Sequence, residues 1–69
     1  MRIEFTKFGL KRDYRGAHVS YRLSGRDYLA TIVGCHRVET TGCIMLELQH
    51  FNGEPAPSVA ASFVELLER

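Results

Sequence analysis

The chain has no tryptophan, two prolines, two cysteines and no apolar run longer than the four residues "CIML", 43–46. Each shortage closes off a class. A run of four is far below the roughly 20 residues that span a bilayer. The opening "MRIEFTK" alternates charged with apolar residues, whereas a secretory signal needs an unbroken apolar stretch. The expectation is a cytoplasmic protein with no membrane segment. Two cysteines are too few to staple a secreted scaffold of 69 residues. There is no GxSxG, no HExxH and no phosphate-cradling glycine loop. The carboxylates are scattered, so no catalytic residue and no cofactor is assigned.

Apolar residues make up 45% and charged residues 25%, the range of a folded globular chain. The length allows one domain, 1–69. Domains below roughly 70–80 residues gain firm stability from disulfides, a metal or a partner subunit. With the first two disfavoured by composition, a homo-oligomer is expected. Net charge is +1 but unevenly placed: residues 1–38 carry +5, and residues 39–69 carry −4. Such a split arises when the halves neutralise each other in one fold. It also arises when a basic face awaits an anionic partner, or when complementary ends meet in self-assembly.

Period-two alternation marks strands over Ile3–Phe8, His18–Leu23, Tyr28–Val38 and Gly42–Phe51. "SGRD" (Ser24–Asp27) and "NG" (Asn52–Gly53) are turn sequences. In the third and fourth strands the even positions Ala30, Ile32, Gly34, His36 and Val38 face Ile44, Leu46, Leu48 and His50. Burying both even faces requires one extra residue in the hairpin. A type I turn over Glu39–Gly42, closed by a left-handed Gly42 as a bulge, supplies it. Cys35 and Cys43 then lie on the other face, out of register and pointing away from His36, so neither a metal site nor a disulfide is expected. His36 and His50 fall at the two ends of the apolar face, as rim histidines with a hydrogen-bond partner.

The segment "SVAASFVELLER" (58–69) reads two ways. Ser58 caps a helix whose face is Val59, Phe63, Leu66 and Leu67, or Val59–Ala61 is a short strand, "SFVEL" a 3₁₀ turn and "LER" a closing strand. The expected core is Ile3, Phe5, Val19, Tyr21, Ile32, Ile44, Leu46, Leu48, Val59, Phe63 and Leu66.

The cluster with most chemical content is "KRDYRG", 11–16. Lys11, Arg12 and Arg15 supply cations for phosphate, and Tyr14 a ring that can stack on a base. Arg22 and Arg37 extend the same candidate contact surface across the strands. The competing reading is a solvated loop in which Asp13 pairs with its own arginines.

Several landmarks resemble the plasmid-encoded type II dihydrofolate reductases, which are small SH3-like barrels. They are Gly16 and Val19 in "GAHV", Ser24–Gly25 in "RLSG", Ile32–Gly34 in "IVG", Gly42 after a threonine, Ser58–Val59, and the closing "LER", 67–69. The resemblance implies a five-stranded barrel and a tetramer with one central pore. In that family a Val-Gln-Ile-Tyr stretch from each of four subunits lines the pore, where folate and NADPH bind. The aligned residues here are Val59, Ala60, Ala61 and Ser62, so the glutamine and the tyrosine are missing. Arg22 stands where that family has a substrate-attracting lysine, and the family's interface tryptophan has no counterpart.

The fold expected is therefore a small SH3-like five-stranded antiparallel barrel with a C-terminal helical turn. The alternative is a four-stranded sheet with a C-terminal helix. The function expected is a non-enzymatic, homo-oligomeric interaction module that meets a protein or an anionic partner such as nucleic acid through the basic loop. The alternative is an oligomeric type II reductase-like enzyme with a shared pore.

Overall fold

A computed structural model describes residues 2–6 and 8–67. The chain is mainly β, and the described residues form seven strands: β1 Phe5–Thr6, β2 Gly9–Leu10, β3 His18–Leu23, β4 Arg26–Arg37, β5 Ile44–His50, β6 Val59–Ala60 and β7 Val64–Leu66. A 3₁₀ turn, Ala61–Phe63, joins the last two. The main sheet is antiparallel in the order β6-β5-β4-β3-β7. β3 to β6 form a meander, and β7 returns to pair with β3, so the sheet curls into a half-barrel with SH3-like order. This bears out the barrel expectation, and the C-terminal helix is not formed. Of the "LER" segment only Leu67 falls within the described residues.

Curling needs a long strand that bends. β4 has twelve residues, and its pairing with β5 shifts between Ile32 and Gly34. Ala30, Thr31 and Ile32 oppose His50, Gln49 and Leu48. Beyond the irregularity, Gly34, Cys35, His36 and Arg37 oppose Glu47, Leu46, Met45 and Ile44. The extra residue is thus Val33, in mid-strand, and not in the hairpin turn as the alternation suggested. A bulge there raises the local twist and re-aims every later side chain. His36, expected inside with Ala30 and Ile32, moves to the outer face with Gly34. The turn keeps Gly42 left-handed, with φ 75°, as expected. Its N–H donates to the Val38 carbonyl at 2.7 Å, and the Val38 N–H donates to Cys43 at 2.9 Å. That closes a four-residue loop, which leaves the parity unchanged.

The inner face carries Val19, Tyr21, Ala30, Ile32, Ile44, Leu46, Leu48 and Val64, with Ile3, Tyr14 and Ala61 completing the core. Two expected members are outside it. Phe5 is 39% and Phe63 74% exposed. Phe5 sits in a separate two-stranded ladder, β1–β2, and the tight 3₁₀ turn sends Ala61 and Val64 inward while Phe63 faces solvent. Val59 and Leu66 pack against the core from its rim. Among the described residues, no helix is long and apolar enough to cross a membrane.

Candidate functional site

The basic loop is built by two short-range devices. The Asp13 carboxylate accepts the Arg15 N–H at 3.0 Å, a local side-chain turn that fixes the chain direction. The Ala17 N–H then donates to the Tyr14 carbonyl at 2.9 Å, and the Gly16 N–H to Ile32 of β4 at 2.8 Å. This lashes the loop to the middle of the sheet.

Tyr14 is not a free stacking ring. It is 6% exposed and belongs to the core, and its hydroxyl accepts the Glu4 N–H at 3.0 Å. Burying the ring anchors the loop, because an amphipathic ring gains area while its hydroxyl keeps a partner. Of the six candidate contact residues, Lys11, Arg12, Arg15, Arg22 and Arg37 are exposed.

Three of these cations already hold a carboxylate. Arg12 meets Glu4 at 3.0 Å, Arg15 meets Asp13 at 3.1 Å and Arg22 meets Asp27 at 3.0 Å. The Arg15 side-chain hydrogen bond holds the Asp13 carboxyl below its usual range, and Arg22 does the same for Asp27. Both arginines are raised in turn by the same bonds. All four groups lie at the surface, where such pairs add little stability. These three pairs consume the three acids of residues 1–38 within that segment. The two halves of the chain therefore do not neutralise each other through those bridges, and Lys11, Arg26 and Arg37 keep exposed charge.

The six residues do not form one patch. Lys11, Arg12 and Arg15 share the loop. Arg22 sits opposite Asp27, near the start of β4, and Arg37 ends that strand. Asp27 and Arg37 lie near opposite ends of the twelve-residue β4.

Two further clusters were not read from the sequence. Tyr21, Tyr28 and His50 stack at one end of the inner face, with centroids 5.4, 5.5 and 6.0 Å apart. The Tyr21 hydroxyl lies 2.5 Å from Nε2 of His50, which is the hydrogen-bonded rim histidine expected at that position. Burial, then the neighbouring Tyr28, pushes the Tyr21 phenol above its usual range. On the outer face, Nδ1 of His36 meets Oε2 of Glu47 at 3.0 Å. The Glu47 carboxylate lies over Gly34, where a β-carbon would come within 2.7 Å of Oε1. Cys35 and Cys43 are free exposed thiols. Among the described residues, no three His, Cys, Asp or Glu converge as metal ligands.

The stretch aligned with the reductase pore is Val59 and Ala60, half-buried at the β6 edge, then buried Ala61 and exposed Ser62. No family model, no curated protein and no solved structure matches the chain.

Proposed function

We propose that the chain is a non-enzymatic interaction module that works as a homo-oligomer in the cytoplasm and meets an anionic partner, such as nucleic acid, through the basic loop. The observation that carries the reading is the fate of the phenylalanines. All four are at the surface: Phe5 39%, Phe8 82%, Phe51 53% and Phe63 74% exposed. Leu23, Leu29 and Val33 join them at 47%, 50% and 50%. On so small a surface these side chains leave apolar area that a second surface can cover.

The total area agrees. For a mass of 7.8 kDa the scaling of compact monomers gives about 4,400 Å², and this chain exposes 4996 Å². The surplus is about 600 Å². Exposed, unpaired thiols suit a reducing compartment.

The basic loop supplies the anionic contact in this reading, with Lys11 exposed and, among the described residues, in no ion pair, unlike Arg12 and Arg15. Fluorescence anisotropy with a labelled oligonucleotide tests it. Binding is expected to weaken with salt, and to weaken further when Lys11, Arg12 and Arg15 become alanine. No binding at low salt would remove the nucleic-acid arm. The alternative, a reductase-like enzyme with a shared pore, rests on the resemblance alone, and the Val59–Ser62 stretch offers neither amide nor phenol to a pteridine or nicotinamide. Saturable micromolar NADPH binding in a fluorescence titration would reverse the order of the two readings.

A further inference from the structure

We propose that the hollow between the basic loop and the end of β7 seats a terminal phosphate group of a nucleic acid, with Arg12, Arg15 and His18 as its donors. The inference rests on the anionic contact proposed above and gives that contact a place.

The loop and the sheet build the hollow together. Its volume is about 320 Å³, at the lower end of the roughly 300–1,000 Å³ of ligand sites. Arg12, Asp13 and Arg15 line it from the loop, His18 from the start of β3, and Leu66 and Leu67 from the end of β7. Backbone bonds fix these walls. The Leu67 N–H donates to the His18 carbonyl at 3.0 Å, and the Gly16 N–H holds the loop to Ile32. The buried Tyr14 ring anchors the same loop in the core. A frame set before the ligand arrives loses little freedom on binding.

The two arginines are engaged but not used up. A guanidinium carries five N–H donors. Arg15 gives Nε and Nη2 to Asp13, and Arg12 gives Nη2 to Glu4. Nη1 of each has no hydrogen-bond partner among the described residues. The carboxylates therefore act as struts that hold both guanidinium groups while N–H groups remain for an oxoanion. A phosphate monoester suits this set. It carries close to two charges and three acceptor oxygens, one for each of the three donor side chains, and its geometry matches a guanidinium fork. A phosphodiester inside a strand offers one charge and two free oxygens, and its chain must continue on both sides. Leu66 and Leu67 wall the hollow with apolar groups, which suits the end of a strand better than its middle.

Titration with inorganic phosphate at constant ionic strength, followed by heteronuclear NMR, tests the seat in wild type, Arg12→Gln, Arg15→Gln and Lys11→Gln. Lys11→Gln removes the same charge from the same loop, outside the lining of the hollow. The expected result is saturable shifts at the amides of the loop and of Leu66 and Leu67. Each arginine variant should bind at least about tenfold more weakly, and Lys11→Gln within about twofold of wild type. The spectra also report that each variant is folded. In fluorescence anisotropy, a labelled oligonucleotide should bind more tightly with a terminal phosphate than with hydroxyl ends. Shifts that never saturate, or equal weakening by all three variants, would overturn the seat. Equal affinity for the two oligonucleotides would overturn it as well and leave the anionic contact of the loop standing. No binding of either oligonucleotide at low salt would remove both.

Discussion

Replacing Tyr21 by phenylalanine removes one oxygen and leaves the ring stack in place. The hydroxyl sits 2.5 Å from Nε2 of His50, on a side chain that is 3% exposed. The net worth of such a bond is about 1 kcal/mol. His50 is only half-buried, so water can reach its ring nitrogen in the variant. The loss should therefore stay near about 1 kcal/mol and not rise to the roughly 3 kcal/mol of a fully stranded polar group. In urea, with a slope of about 1 kcal/mol/M for a chain this small, the midpoint should fall by about 1 M. The pH dependence gives a second reading of the same group. Tyr21 is raised in the folded state by burial, so the fold favours the protonated phenol. That contribution is complete below the unfolded value near pH 10 and is lost as pH climbs through the raised folded value. Wild type should thus lose stability above pH 10 more steeply than Tyr21→Phe. A midpoint shift below about 0.3 M, with parallel alkaline curves, would refute the buried Tyr21–His50 contact.

Leu46 is fully buried at the centre of the inner face, so Leu46→Ala should cost about 2–5 kcal/mol. That is comparable with the whole stability of a domain this small, and loss of cooperative thermal unfolding is the readout. Gly34→Ala brings a β-carbon to 2.7 Å from the Glu47 carboxylate, but that carboxylate ends an exposed, flexible side chain. It should swing away and give up His36, leaving stability within about 0.5 kcal/mol of wild type; a change in the chemical shifts of the His36 ring would register the lost partner. Serine at both Cys35 and Cys43 should leave the melting temperature unchanged, since both thiols are free and exposed.

Much of the architecture was legible because local chemistry and pattern agree. His18–Leu23 alternates cleanly and forms β3 with those bounds. Ser24–Gly25 makes its hairpin with positive φ at both residues, 53° and 79°. Parity between the third and fourth strands required an extra residue, and one is present. Its position was not legible, because parity counts residues without locating them. The bend is dictated by the need of β4 to curl, a property of the whole sheet. The same limit hid Tyr14. A tyrosine among cations looks solvated in sequence, and only the loop's attachment to Ile32 carries it into the core. The aromatic end of the sheet was invisible for a related reason: Tyr21, Tyr28 and His50 come from three strands, and register alone stacks them.

The measurement that bears most directly on the account is the solution mass of the wild-type chain over a micromolar concentration series. Coverage of the exposed phenylalanines by a second copy predicts at least twice the chain mass of 7.8 kDa, falling toward it on dilution. A mass of 7.8 kDa at every concentration would contradict it.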